Sequence, residues 1–237
     1  MALLRANRPE YRLTDMSMAG ILVLGELDGG GLDAATGELL AAARSLGEDV
    51  AVALAGERLN GAAAEAIALG ARTVYTVEDP LLAGPSIDVR VIAFEQICRQ
   101  TAASVVLVGR TEAVGDIGPR LAFRLGVGLA QDCIGVELDS GTGRVVATRP
   151  VYGGNVMARV TFPDTDPQVA VIRGGAYDPV PPDPSRSGKV VPIPVKLEPS
   201  MIKVRHIETV RKKREGIRLE DAPVVVCGGR GLGGPEP

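Results

Sequence analysis

Glycines near the end of the chain have the spacing of a phosphate-binding loop. Gly229, Gly231 and Gly234 are spaced G-x-G-x-x-G, directly after the apolar run 224–227, which predicts a buried strand. Such a loop brings backbone N–H groups against a dinucleotide pyrophosphate, and the helix that follows supplies positive dipole charge. Only residues 235–237 follow here. The pattern therefore predicts the first strand and loop of a nucleotide-binding domain whose body is missing from this sequence.

The segment Arg149-Pro-Val-Tyr-Gly-Gly-Asn155 is a second place where the residue types are unusual. Arg149, Tyr152 and Asn155 share one short connection with Gly154 and its neighbouring glycine. Two interpretations fit these residues equally well. The segment is either a tight bend between two strands or a surface presented to a partner or ligand.

Other chemistry has little support. His206 is the only histidine, and no serine or cysteine motif lies near it, so we predict no catalytic residue. Histidines and cysteines do not cluster, and we predict no metal site.

The loop 109–116 follows a core strand, at the place where open α/β sheets bind ligands. Adenine-nucleotide binding by an enzyme of the same α/β class is therefore an alternative function. The basic run Arg211–Arg214 is interpreted as a solvated face, with an acidic partner surface as the second choice.

Composition narrows the function further. The 237 residues are 46% apolar, carry a net charge of −3, and include no Trp, three Phe and four Tyr. So few aromatic rings and so little positive charge argue against nucleic-acid binding. No apolar stretch approaches the roughly 20 residues of a membrane span, and the N-terminus has no signal-peptide core. Cys98, Cys133 and Cys227 are interpreted as buried reduced thiols, which suits the cytoplasm.

Periodicity predicts an α/β fold. Short apolar strands alternate with amphipathic helices, which indicates βαβ units and a parallel sheet. The predicted strands are 20–25, 49–55, 71–77 and 104–108. The first predicted helix starts near Asp33, which is its expected N-cap, and three further helices span about 61–69, 87–102 and 116–125. Four further strands near 130–137, 144–151, 155–162 and 168–172 predict an antiparallel extension.

The chain divides into five segments on this basis. Residues 1–17 are an N-terminal arm and 18–175 an α/β domain. Residues 176–200 are a proline-rich, extended linker. Residues 201–221 are a connector with a strand at 202–210 and the basic run, and 222–237 begin a second domain.

Together these residues resemble the alpha subunit of electron transfer flavoprotein. The stretch from Gly109 to Asp132 resembles the family's loop and helix before its antiparallel part, and Arg149–Asn155 resembles its Arg-Pro-(Ile/Val)-Tyr-(Ala/Gly)-Gly-Asn motif. Residues 215–234 resemble the opening of its FAD-binding domain. The implied fold is an adenine-nucleotide-hydrolase-like domain joined by a linker to that domain.

The resemblance also implies a function. Members of this family carry electrons from flavin dehydrogenases, such as acyl-CoA dehydrogenases, as heterodimers with a beta subunit. Some bifurcate electrons using NADH and ferredoxin, and the sequence leaves open which type this is. Arg230 would contact FAD, with Gly229 and Gly231 shaping the loop, although the family's other FAD contacts lie beyond residue 237. AMP or a second FAD would bind mainly in the beta subunit, and Arg149, Tyr152, Gly154 and Asn155 would face a partner.

Overall fold

The computed structural model describes residues 20–28, 31–110, 115–204, 206–208, 210 and 222–234. The chain divides into two compact units, Met1–His206 and Ile207–Pro237, which are described separately. The predicted arm 1–17, the basic run Arg211–Arg214 and part of the 109–116 loop lie outside the described residues.

The first unit alternates strands and helices along most of its length. Its described strands are β1 (Ile21–Leu24), β2 (Leu27–Asp28), β3 (Gly31–Leu32), β4 (Val50–Gly56), β5 (Thr73–Glu78), β6 (Val105–Arg110), β7 (Leu129–Cys133), β8 (Gly135–Leu138), β9 (Val145–Val151), β10 (Val156–Thr161), β11 (Gln168–Arg173) and β12 (Lys189–Pro192). Its α-helices are α1 (Ala34–Leu46), α2 (Asn60–Ala68), α3 (Ile87–Thr101) and α4 (Ile117–Leu125).

Seven of the strands form one sheet, in the order β12-β5-β4-β1-β6-β11-β7. Every pair in it is parallel. A separate antiparallel sheet has the order β10-β9-β8, and β2 pairs with β3 as a small ribbon. The α/β class, the parallel sheet and the antiparallel extension predicted from the sequence are confirmed.

The central strands of the large sheet are buried on both faces, and successive side chains along each strand point to opposite faces. In β1, Ile21 and Val23 pack into one core cluster with α1 and α2, while Leu22 and Leu24 pack into another with α3 and α4. The predicted helix cap is present, since Asp33 accepts a hydrogen bond from the Ala35 N–H at 2.8 Å. Its small side chain thus sets where α1 begins.

The strand at 168–172 was assigned to the wrong sheet by the sequence pattern. Instead of continuing the antiparallel extension, β11 lies parallel between β6 and β7. Its residues from Val169 to Ile172 are all buried. A continuous apolar run is typical of a parallel strand covered on both faces, whereas strands of a one-sided antiparallel sheet alternate.

The proline-rich segment also differs from the extended linker that its composition predicts. It contains β12, which pairs with β5, and several of its apolar residues pack against the core beside α3. The first compact unit extends to His206 rather than ending near residue 175. Proline suits this path because an edge strand needs hydrogen bonds on one side only.

Two other predicted strands have no ladder in the described residues. Within 202–210, the N–H groups of Lys203 and Val204 donate to the Asp88 carboxylate instead of to a neighbouring strand. In the second unit, 224–227 is exposed rather than buried, and no neighbouring strand pairs with it within 222–234. A strand buried on both faces needs such neighbours.

The three cysteines are free thiols, as expected. Burial raises the pKa of Cys98 to about 12 and that of Cys133 to about 11, so both remain protonated near neutral pH. Cys227 is exposed, which differs from the buried position predicted for it.

Close packing of α4 on the sheet gives a test of the fold. A Cβ added at Gly118 would lie 2.5 Å from Val171 Cγ2, whereas one added at Gly61 would meet no atom within 4 Å. Both glycines are the second residue of a helix. Gly118→Ala is therefore expected to lower the free energy of unfolding by about 1–3 kcal/mol, because overpacking displaces β11 or α4.

Gly61→Ala is the matched control and is expected to raise the same free energy by up to about 1 kcal/mol, through helix propensity alone. Urea unfolding followed by circular dichroism measures both variants. Equal effects of the two substitutions would contradict the packing of α4 described here.

Candidate cofactor loop and partner surface

The glycine loop of the second unit is exposed throughout its described residues. Arg230–Leu232 form one turn of 3₁₀ helix, and the N–H of Leu232 donates to the Gly229 carbonyl oxygen at 3.0 Å. A Cβ at Gly229 or Gly231 would meet no atom within 4 Å. Neither residue has a positive φ, so nothing in the loop itself requires glycine there. Glycine at both positions leaves the backbone open to close approach by another group.

Arg230 projects from this turn, and its residue is exposed. Within residues 222–234, no hydrogen bond or ion pair is assigned to its guanidinium group. A guanidinium held between open backbone segments offers planar donors and a fixed positive charge to an anionic group. These residues therefore fit one part of a flavin nucleotide, namely a contact with a ring or phosphate that carries negative charge.

The β9–β10 connection is a hairpin with an unusual tip. Tyr152, Gly153 and Gly154 all have positive φ, at 51°, 68° and 92°. The Asn155 side chain closes the turn, since its Nδ2 donates to the Tyr152 carbonyl oxygen at 2.9 Å. Glycine adopts this conformation without steric strain, whereas tyrosine is strained by its Cβ. Tyr152 is nevertheless kept there with 82% of its surface exposed. Such local strain on an exposed aromatic residue is typical of functional positions.

One face of the hairpin is continuous with the face that is buried in the core at the start of β9. Residues paired across antiparallel strands point to the same side, so Val145 and Ala147, which are buried, share a side with Arg149 further along β9. Val151 and Val156 are paired on that side at the tip, where Val156 is exposed. This side, defined by Arg149, Val151 and Val156 and with Tyr152 at its end, is called the hairpin surface below.

Arg149 contributes a buried polar atom to the hairpin surface. Its Nε atom is buried, and no described residue accepts a hydrogen bond from it. The guanidinium lies near Cys133, where its charge acts on the thiol. A buried donor without an acceptor costs about 1–3 kcal/mol. A partner that supplied an acceptor to the Arg149 side chain would recover part of that free energy.

The crevice where open α/β sheets bind ligands is closed in the described residues. The strand order reverses between β1 and β6, and Glu26 follows β1 there with its side chain buried. A Cβ at Gly109 would overlap the Glu26 carboxylate. A cavity among the described residues there, which Glu38 and Arg110 help to line, has a volume of about 10 Å³. Small-molecule sites usually enclose about 300–1,000 Å³. This geometry does not favour an adenine nucleotide in the chain's own sheet.

Sequence reasoning missed an ion cluster beside that crevice. Asp132 accepts hydrogen bonds from Arg173 Nε at 2.9 Å and Nη2 at 2.6 Å, and from Arg110 Nη1 at 2.5 Å. Hydrogen bonds from Arg173 and then from Arg110 lower the pKa of Asp132 to about 2. The three residues join the ends of β6, β11 and β7. The available signal was that each arginine ends a strand, because carboxyl ends of parallel strands meet at one edge.

No group of histidine, cysteine and carboxylate side chains that could hold a metal ion occurs in the part of the chain that the structure describes. The same residues include no helix long and apolar enough to cross a membrane. His206 is exposed. The candidate residues therefore belong to different units, with the hairpin from Arg149 to Asn155 in the first and the loop Gly229–Gly231 in the second.

Comparison with known proteins gives one consistent result. Residues 21–198 match the family model described as "Electron transfer flavoprotein domain". Three relatives carry the name "Electron transfer flavoprotein subunit alpha". The chain is 34% identical to the protein of Thermoanaerobacterium thermosaccharolyticum over 84% of this chain and 61% of that protein. It is 34% identical to that of Megasphaera elsdenii over 92% and 66%, and 36% identical to that of Bacillus subtilis over 90% and 64%. The chain thus spans somewhat less than two thirds of these relatives' length.

The strain at the hairpin tip predicts an unusual effect of glycine. In the left-handed conformation, a residue with a Cβ destabilises the folded state by about 1–2 kcal/mol. Glycine avoids this strain, but part of the gain is offset because glycine loses more backbone entropy on folding. Tyr152→Gly is therefore expected to have a free energy of unfolding about 0.5–1 kcal/mol above that of Tyr152→Ala. Both variants lack the ring, so urea unfolding compares the backbone effect alone. Equal stabilities would mean that the tip is not held in this conformation.

Proposed function

Because the chain belongs to the electron transfer flavoprotein family, we propose that it is the alpha subunit of a heterodimeric electron carrier. The match over residues 21–198 carries this proposal, since it covers most of the α/β unit. In this function the chain docks a beta subunit and carries FAD between flavin dehydrogenases, such as acyl-CoA dehydrogenases, and a downstream acceptor. We place it in the cytoplasm, which fits the composition.

The FAD contact in this chain is assigned to the glycine loop. Gly229 and Gly231 leave the backbone open, and the Arg230 guanidinium is exposed. A bound FAD supplies the electron-accepting ring, which side chains do not provide. The positive charge of Arg230 would stabilise negative charge that develops on the ring during reduction, and would raise its reduction potential.

The hairpin surface is assigned to the beta subunit. Its support is the exposed Tyr152 ring in a strained backbone, the buried Nε of Arg149, and the glycines that shape the tip beside Asn155. Exposed apolar side chains beside unsatisfied polar groups are typical of surfaces that become covered. AMP or a second FAD would bind mainly in the beta subunit.

The alternative is an enzyme that binds an adenine nucleotide in this chain's own sheet. The closed crevice beside Glu26 argues against it, because a cavity of about 10 Å³ is far too small.

A second question is whether the carrier bifurcates electrons with NADH and ferredoxin or simply passes them from one protein to another. Both types fit the chain as described, and they differ in flavin content.

Flavin content is the first measurement. The complex is purified from its native cells through a tag on this chain, and flavin released by denaturation is measured by absorbance per chain. One flavin is expected for a simple carrier, and two for a bifurcating one. A complex with no flavin that retains ATP would overturn the proposal and favour the nucleotide-binding enzyme.

The role of Arg230 is tested in the same purified complex. Arg230→Gln is expected to lower the reduction potential of the bound FAD by about 20–60 mV, the equivalent of about 1–3 kcal/mol for a charge-assisted hydrogen bond in a two-electron couple. Spectroelectrochemical titration measures the potential. Arg230→Lys, which keeps the charge, is the control and should shift it less. Equal potentials in all three proteins would remove Arg230 from the flavin site.

A further inference from the structure

A large apolar groove lies between α3 and α4 in the first unit. Its walls include Val91 and Ile92 of α3, Pro119 and Phe123 of α4, and Met201, which follows β12. The groove has a volume of about 710 Å³. Phe123 is 87% exposed, one of the largest apolar side chains left open to solvent among the described residues. Single exposed apolar residues are ordinary, but one beside an apolar groove of this size indicates a contact surface.

Two carboxylates lie beneath the rim of this groove. The mostly buried Asp88 accepts from Arg120 Nη1 at 2.9 Å and from the Lys203 N–H at 2.7 Å. The mostly buried Glu95 accepts from Arg124 Nε and from Arg99 Nε. The Lys203 backbone N–H is the main cause that lowers the pKa of Asp88, so this carboxyl stays ionised near neutral pH.

The charges that reach solvent around the groove are positive. Arg120 and Arg124 are each about half exposed while their acidic partners are mostly covered. Lys203 is exposed, and its Nζ donates only to the Ser200 carbonyl oxygen, at 2.8 Å, among the contacts assigned to it. Three basic side chains, Arg120, Arg124 and Lys203, therefore line the groove together with one mostly buried carboxylate, Asp88. A partner that approaches the groove meets an apolar floor and a cationic rim.

We propose that the α3–α4 groove is a docking site for an acidic segment of a partner protein, with an apolar side chain of that segment seated against Phe123. Apolar burial in the groove supplies affinity, and the rim selects for negative charge and speeds association. Nucleic acid fits less well, because single strands usually bind through several stacking rings, and Phe123 is the one aromatic residue among those that line the groove. This inference goes beyond electron transfer and does not depend on which cofactor is bound.

A photo-cross-linking amino acid at position 123 tests the proposal in the native complex. The benzophenone side chain replaces Phe123, and mass spectrometry maps the cross-linked peptide after irradiation. The expected product joins position 123 to a segment of net negative charge in a co-purifying protein. The same replacement at Val190, an exposed apolar residue of β12, is the matched control. Val190 should not yield that product.

Four outcomes would overturn the proposal. The cross-link could join position 123 to another part of this same chain, which would make the groove an internal packing surface. It could join a neutral or basic segment, which would remove the role of the rim. Finally, the chain could yield no cross-linked partner, or the same products from positions 123 and 190.

Charge reversal at Lys203 tests the rim separately. Lys203→Glu is expected to weaken association with the cross-linked partner about tenfold at low salt, and the difference should shrink in high salt as the charges are screened. Lys203→Arg keeps the charge and should bind as the parent does. Flavin content is measured alongside, so that loss of cofactor is distinguished from loss of docking. Equal affinity of Lys203→Glu and the parent at every salt concentration would overturn the role of the rim.

Discussion

The structure depends on one constraint, that a parallel sheet must be covered on both faces. The central strands β4, β1, β6 and β11 are largely apolar, and α1 and α2 cover one face of the sheet while α3 and α4 cover the other. Polar side chains with a possible function are therefore largely excluded from the interiors of these strands. They occur at strand ends, in connections between elements, and on the outer surfaces of helices, which is where the ion cluster, the hairpin and the groove lie.

The same constraint leaves little room among the described residues at the place where open α/β sheets usually bind ligands. Beside the ends of β1 and β6, the buried Glu26 side chain fills the space against Gly109, and only a small cavity remains. Asp132 then holds the two arginines that end β6 and β11. Carboxylates and ion pairs of the described residues thus occupy this edge of the sheet. The surfaces to which we assign recognition lie instead on the hairpin and on the outer helices.

Much of this fold could be predicted from local sequence signals, because those signals are set by nearby residues. The Asp33 cap and the alternation of strands with helices depend only on residues close in sequence. Pairing between distant strands does not, so β11 was placed in the wrong sheet. The strand expected at 202–210 was lost to one distant carboxylate, Asp88, which takes its backbone N–H groups.

The candidate sites show the same limit. The glycine loop and the Arg149–Asn155 segment were found because each is continuous in sequence. In the ion cluster, Asp132 is 22 positions from Arg110 and 41 positions from Arg173 along the chain. The α3–α4 groove brings two helices together with a segment that follows β12. For the cluster the available local signal is that Arg110 and Arg173 each end a strand, and no local pattern marks the groove. What the sequence cannot provide is the tertiary neighbourhood, which determines whether a charged side chain is a surface residue or part of a site.

The position of β12 has a consequence for how this protein stays folded in isolation. Without it, β5 would present a row of unpaired backbone groups along its open side, and such an edge can recruit strands from other molecules. β12 caps that edge with only four residues, beginning with Lys189 and ending with Pro192. A charge, a short length and a missing N–H all discourage further pairing. The proline-rich stretch that resembles a flexible tether is thus the chain's own barrier against aggregation, and a domain cut before it would lose that barrier.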